Sequence, residues 1–257
     1  MENNYQRFSL KVQDYLKFRP DYPNEMLKKL EEQLQLDNRK IIADIGSGTG
    51  LSSKPFVEHQ YTVYAVEPND EMRKAAEAIY KDAENFISIN GASESTTLQD
   101  NSVDVIFSGQ AFHWFDLPKT KIEFKRILKP GGHIVLVWNE RDASSPLLND
   151  YERALYDNIE EYPYVNHKNI DEEKIKTFFS PEKMGYMELD HRQWFDLEGF
   201  KGRARSSSYT PKSGVIYETI MQELEEVFDR YQTSGMVEFR YKTKIYFCRV
   251  EAAIADG

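Results

Sequence analysis

Apolar residues fall along this chain in two rhythms, and the alternation between them sketches the fold. In the first half, short unbroken apolar runs recur at 40–46 (KIIADIG), 61–67 (YTVYAVE), 85–90 (NFISIN), 102–108 (SVDVIFS) and 132–138 (GHIVLVW). Runs of that length, continuous and rich in β-branched residues, predict strands buried on both faces of a parallel sheet. Between them the apolar spacing lengthens to that of helices at 52–60, 70–81 and 117–128. The last helix meets "KPGG", where Pro130 and two glycines stop it and turn the chain into the next strand. Repeated strand–helix–strand order predicts a doubly wound α/β fold with right-handed crossovers.

Residues 143–186 break that rhythm. The segment is charged, carries tyrosines at 151, 156, 162 and 164, and reads as helices with loops. Two readings stand open for it: a lid or substrate wall over the sheet's ligand edge, or a peripheral decoration. Strand character returns at 185–195, a helix follows near 215–231, and 236–250 reads as a strand again. Within that last stretch "EFRYKTKIYF" alternates polar with apolar or aromatic residues, as an antiparallel strand near a sheet edge does. The expected organisation is one domain, with a helical cap over 1–39, a core over 40–142, the insertion over 143–186, and closing strands and helix over 187–257.

Composition narrows the classes. At 257 residues, 40% hydrophobic and 30% charged, the chain suits a globular protein with a sizeable core. Its 43 acidic side chains outnumber 33 basic ones, and the net charge of -10 disfavours non-specific nucleic-acid binding. The single cysteine, Cys248, excludes an internal disulfide, and no cysteine spacing of metal type occurs. The polar N-terminal stretch lacks the apolar core of a signal peptide, and no window approaches the ~18 apolar residues of a membrane span. These features lead us to expect a cytoplasmic protein, monomeric or homodimeric, with no membrane or nucleic-acid partner and no metal.

The most informative stretch is "DIGSGTG", after the first strand. A glycine turn between a strand and a helix brings backbone N–H groups and a helix N-terminus close to a ligand. The dinucleotide fingerprint G-x-G-x-x-G fails here: Gly46 and Gly48 fit, but the third required position is Leu51, and Gly50 comes one residue early. No Gly-Lys-Ser/Thr follows, so the phosphate-cradling P-loop fails as well. Asp44, just before the turn, can accept from ligand amines or fix the turn, and it repels a pyrophosphate. Glu67 closes the second strand about 20 residues after the turn, the position from which an acid binds ribose hydroxyls. Asp44, the glycines and Glu67 therefore fit a nucleoside with an amino-acid tail. Ala92, Ser93 and Glu94 follow the third strand, where they can read an adenine edge.

Taken in order, "DIGSGTG", "AVEPND", "NGASE", "LQDNSVDVIFS" and "EFKRILKPGGHIVLV" resemble the motifs of class I S-adenosylmethionine-dependent methyltransferases, specifically the methyltransferase type 11 group. The resemblance covers residues 40–138. It implies a Rossmann-like sheet of seven strands, mostly parallel with an antiparallel last strand, and a small-molecule methyl acceptor. "GQAFHWFD" and "YLKFRPDYP" are similar to signatures of a subgroup that includes trans-aconitate-type methyltransferases. Ser47 stands where Cys or Ala is commoner, and Phe18 where Tyr is commoner.

The resemblance and the residue chemistry together name a site. For S-adenosylmethionine, and S-adenosylhomocysteine as product, the expected contacts are Tyr15, Arg19, Asp44, Gly46, Ser47, Gly48, Glu67, Pro68, Ala92, Ser93, Glu94, Ser108 and Gln110. Arg19 can pair with the methionine carboxylate, or serve as a solvated arginine on a packed helix. His113, beyond the fourth strand, is the candidate general base; it can also bind substrate or serve only structure. Trp114 is expected to pack as a pocket wall. Asn139, Arg141, Arg205, Ser207 and Tyr209 are candidate substrate contacts. Arg141 can neutralise an anionic substrate, or form a surface salt bridge. The alternative to an enzyme is a regulatory module that binds the cofactor without turnover.

Overall fold

The computed structural model describes residues 16–165 and 172–251. Its seven strands are β1 (Ile41–Ile45), β2 (Thr62–Val66), β3 (Phe86–Ile89), β4 (Val103–Gly109), β5 (Leu128–Arg141), β6 (Gly185–Phe195) and β7 (Val237–Arg249). They form one sheet in the order β3-β2-β1-β4-β5-β7-β6. The pairs β1–β2, β1–β4, β2–β3 and β4–β5 are all parallel. β7 runs antiparallel to β5, because Gly131 N donates to Val250 O while Asp142 N donates to Arg240 O. This is the doubly wound α/β arrangement expected from the apolar runs, and the Rossmann-like sheet of seven strands that the resemblance implies. The strand order reverses between β1 and β4, the switch point at which open α/β sheets hold ligands.

The helices are α1 (Met26–Leu34), α2 (Lys54–Glu58), α3 (Asp70–Ile79), α4 (Leu117–Ile127), α5 (Pro146–Asn158), α6 (Tyr162–Val165), α7 (Glu172–Phe179), α8 (Leu197–Arg205) and α9 (Val215–Tyr231). Several start where a side chain satisfies the first N–H groups. Asn69 accepts from Glu71 N and Met72 N at the head of α3, and Asp196 accepts from Gly199 N at the head of α8. α2 is shorter than the 52–60 expected: the Ser52 and Ser53 hydroxyls are drawn to Asp44, and the helix starts only at Lys54–Pro55. β5 begins earlier than expected, at Leu128. "KPGG" pairs rather than turning freely, with Gly131 at φ +77° and the β4–β5 register slipping between Val103 and Val105. The helix α8 was not anticipated at all.

The chain forms two compact units. The first comprises Met1–Pro20, Asn139–Ile170 and Asp190–Lys242; the second comprises Asp21–Trp138, Asp171–Leu189 and Thr243–Gly257. Of the expected insertion, α5 and α6 fall in the first unit and α7 in the second. The first unit's core packs Phe18, Tyr151, Leu155, Phe200, Leu224 and Phe239. Gly202 is required there, since a Cβ on it would meet the Phe18 ring at 2.3 Å. The second unit's core packs Met26, Leu30, Ile42, Phe56, Val63, Phe107 and Val135. No helix among the described residues is long and apolar enough to cross a membrane.

Candidate functional site

In the second unit, the turn after β1 is built from backbone that only glycine adopts without strain. Gly46, Gly48 and Gly50 have φ of +73°, +57° and +81°. A Cβ on Gly46 would lie 2.5 Å from the Ala111 Cβ, so the loops after β1 and β4 touch at the switch point. Gly46 N and Ser47 N both donate to Val66 O, which ties the turn to the end of β2. Glu67 secures it further: its Oε2 accepts from Gly48 N at 2.9 Å and its Oε1 from Asn69 N at 2.8 Å. The carboxylate expected to face ribose hydroxyls thus lies against the glycine turn itself.

Asp44 is fully buried. Its Oδ2 accepts from Ser52 Oγ at 2.7 Å and Ser53 Oγ at 2.6 Å, while its Oδ1 has no partner. Burial pushes its carboxyl up to about 6, against the two serine hydroxyls, with Glu67 adding to the rise. Asp44 therefore fixes the turn through serine hydroxyls rather than through N–H groups. Its orphaned oxygen and the buried, unpartnered Ser108 Oγ at the end of β4 are polar groups that a ligand ammonium or hydroxyl can satisfy. These residues fit the amino-acid end of S-adenosylmethionine.

The remaining cofactor-side positions are nearby in the fold. Pro68 is exposed beside Glu67. Ala92 and Ser95 pair through their backbones, closing a tight turn after β3. Ser93 Oγ donates to Glu94 and accepts from Thr120 Oγ1 at 2.9 Å. Gln110 has φ +61°, and its N–H donates to Val137 O. His113 and Trp114 form a helical turn after β4, their rings 4.8 Å apart. Trp114 is 76% exposed. Among the described residues no group of three or more His, Cys, Asp or Glu is gathered to hold a metal.

The first unit holds the other expected residues. Arg141 ends β5 and its side chain is only 2% exposed. Its Nη1 donates to Glu152 and, at 2.7 Å, to Tyr162 Oη; its Nη2 donates to Tyr209 Oη at 2.8 Å. The salt bridge foreseen at the surface is thus a buried one. Asn139 is buried two residues earlier on the same strand. Arg19 Nη2 donates to Ser206 O at 3.1 Å. Arg205, by contrast, turns to Glu198 on its own helix and lies 5.9 Å from the Phe18 ring. Tyr15 lies outside the described residues. Of the insertion tyrosines, Tyr151 and Tyr162 are buried and Tyr156 is exposed.

Arg203 was missed by the sequence reading, yet it is buried two residues before Arg205. Its Nε donates to Tyr241 Oη at 3.1 Å, and its Nη1 to Ser206 Oγ at 3.4 Å and Ser207 Oγ at 3.3 Å. Helical spacing was the available signal. Phe200, Arg203 and Ala204 share one face of α8, and all three are buried.

Comparison with known proteins agrees with this geometry. Residues 43–136 match the type 11 methyltransferase-domain family. An uncharacterized methyltransferase of Mycobacterium tuberculosis is 37% identical over 135 residues, covering 52% of this chain and 53% of the relative. An uncharacterized methyltransferase-like protein of Schizosaccharomyces pombe is 32% identical over 149 residues, covering 58% of this chain and 57% of the relative. A malonyl-[acyl-carrier protein] O-methyltransferase of Marinomonas is 29% identical over 135 residues, covering 50% of this chain and 48% of the relative. The chain thus spans about half the length of the curated relatives it matches. Among solved structures, a proposed type II methyltransferase of Anaeromyxobacter dehalogenans superposes with a TM-score of 0.66 at 22% identity, over 91% of this chain and 98% of that one. At that identity the likeness concerns the fold.

Proposed function

We propose that this protein transfers a methyl group from S-adenosylmethionine to an anionic small molecule and releases S-adenosylhomocysteine. The observation that carries this reading is the turn at the β1–β4 switch point. There, three left-handed glycines, the Glu67 carboxylate and the unpaired oxygen of buried Asp44 converge. When bound, the sulfonium supplies an activated methyl group, so the protein's task is chiefly alignment and exclusion of water. Asp44, Gly46, Ser47 and Gly48 hold the amino-acid end, with Ser108 and Gln110 beside it. Glu67 and Pro68 take the ribose, and Ala92, Ser93 and Glu94 take the adenine. His113 removes a proton where the acceptor is neutral; a carboxylate acceptor needs no base. The buried guanidinium of Arg141 supports an anionic acceptor, as does the similarity to a malonyl-[acyl-carrier protein] O-methyltransferase. The "QAFHWF" stretch supports, in this reading, a kinship with the trans-aconitate-type methyltransferases.

Isothermal titration with S-adenosylhomocysteine tests the donor site, with Gly46→Val as the control. The wild-type protein binds, and the variant loses binding, because a branched side chain meets Ala111 in a left-handed conformation. Equal affinity in both proteins would remove the glycine turn from the site. Methyl transfer to a panel of carboxylic acids then tests the reaction. Binding without turnover on any acceptor would favour a regulatory cofactor-binding module.

A further inference from the structure

Among the described residues of the first unit, the buried charged side chains are arginines. Arg141 and Arg203 are both buried, and the charge of Arg141 opposes that of Arg203. One carboxylate, Glu152, meets Arg141; every hydrogen-bond partner of Arg203 is a neutral hydroxyl. Unbalanced buried cations are costly unless an anion completes them. Three polar atoms close to this pair also lack partners: Arg141 Nε, Tyr151 Oη and Thr210 Oγ1. Tyr151 lies under the Arg141 guanidinium, 5.0 Å from ring centre to Cζ, and Thr210 follows Tyr209, which binds Arg141. Buried donors left idle in this way mark a place where an acceptor is missing. Tyr209 and Arg19 are only partly buried.

We infer that Arg141 and Arg203, with the hydroxyls of Tyr151, Ser207, Tyr209 and Thr210, form a recognition site for a carboxylate group. Arg141 and Arg203 less Glu152 leave one positive charge, and Arg19 beside Tyr209 adds to it, so the cluster calls for an anion. Arginine's planar fork pairs with a carboxylate through two parallel hydrogen bonds. The same charge excess has a second outlet. Burial raises the Tyr209 phenol, but Arg141, Arg203 and Arg19 together bring it below its ordinary value, so a phenolate is the competing counter-ion. Assigning the bound carboxylate to the methyl acceptor rests on the function proposed above; the anion site itself does not.

The test uses the full chain without methyl donor. Succinate, citrate and acetate are titrated at constant ionic strength against chloride, succinamide and inorganic phosphate, and followed by thermal shift and intrinsic fluorescence. At least one carboxylate is expected to bind saturably while succinamide and chloride do not. Arg203→Gln should weaken that carboxylate at least tenfold while leaving S-adenosylhomocysteine affinity unchanged. Tyr151→Phe, which alters no charge, serves as the second variant should Arg203→Gln fail to fold; it should weaken the carboxylate several-fold. Phosphate binding more tightly than every carboxylate overturns the ligand class. No carboxylate binding, equal affinity in the variants, or a Tyr209 phenolate absorbing near 295 nm at neutral pH overturns the site. Carboxylate binding with no methyl transfer leaves the anion site standing and counts against the proposed reaction.

Discussion

The two compact units handle buried charge in opposite ways. In the second unit the charged groups at the site are acids, Asp44 and Glu67, and what faces them is donors: Ser52 and Ser53 hydroxyls and the N–H groups of Gly48 and Asn69. In the first unit the charged groups are arginines, and what faces them is phenols, serine hydroxyls and a single carboxylate. A carboxylate with an idle oxygen suits a ligand that brings an ammonium or hydroxyls; guanidiniums among phenols suit one that brings an anion. The difference also separates backbone from side-chain chemistry. The glycine turn recognises through main-chain shape, whereas the arginine cluster depends on long side chains locked by packing.

That contrast can be broken most forcefully at Glu152. Glu152→Ala leaves Arg141 buried without its carboxylate, and unfolding by denaturant should show a loss of about 3–5 kcal/mol. A loss under about 1 kcal/mol would mean that Tyr209 already supplies the counter-charge, and the two units would differ less than their residues suggest.

The second unit makes a pH prediction. The Asp44 carboxyl titrates at about 6 in the folded chain against an ordinary 3.8, so folding favours its protonated form. Its stabilising contribution is complete below pH 3.8 and is lost as pH rises through 6, a span of about 3 kcal/mol. Thermal melts of the ligand-free protein between pH 4 and 7 should show this decline, and Asp44→Asn should flatten it. An unchanged slope in the variant would assign the pH dependence to other groups. Bound S-adenosylhomocysteine should flatten the slope as well, since its ammonium favours the ionised carboxylate.

The smallest effect expected is at Glu67. Glu67→Ala frees the Gly48 and Asn69 N–H groups and, in the proposed site, removes a charged acceptor from the ribose hydroxyls, so S-adenosylhomocysteine affinity should fall by about 1.5–3 kcal/mol. Titration calorimetry reads this directly. An affinity unchanged within error would move the ribose away from β2 and leave Glu67 as a purely structural clamp.

Much of the second unit was legible in the chain. Its strands are short apolar runs with local punctuation, and 41–45, 62–66 and 86–89 fall within a residue of the runs that predict them. The glycine turn and Glu67 were legible for the same reason: a strand end, a turn and an acid at a set interval constrain one another within about 25 residues. In the first unit α9 and the parts of β6 and β7 it holds were legible too, but the arginine cluster was not. Arg205 looked as useful as Arg203, and only the phase of α8 separates them. Asp196 caps the helix, Phe200 faces the core, and Arg203, three residues on, follows Phe200 inward. Arg141 was visible as a residue after a strand, but its partners Glu152, Tyr162 and Tyr209 lie 11, 21 and 68 residues away. Trp114, expected to pack, is exposed because its short helical turn buries Phe112 instead.

The sequence by itself determined the alternation of strands and helices, the glycine turn, and the acids that flank it, because each is set by neighbours along the chain. Only the tertiary structure decided which arginines are buried, which carboxylate answers them, and which hydroxyls are left without partners. Those depend on helix phase and on contacts between distant segments, where burial in a low-dielectric core turns an ordinary charged side chain into one that must be matched.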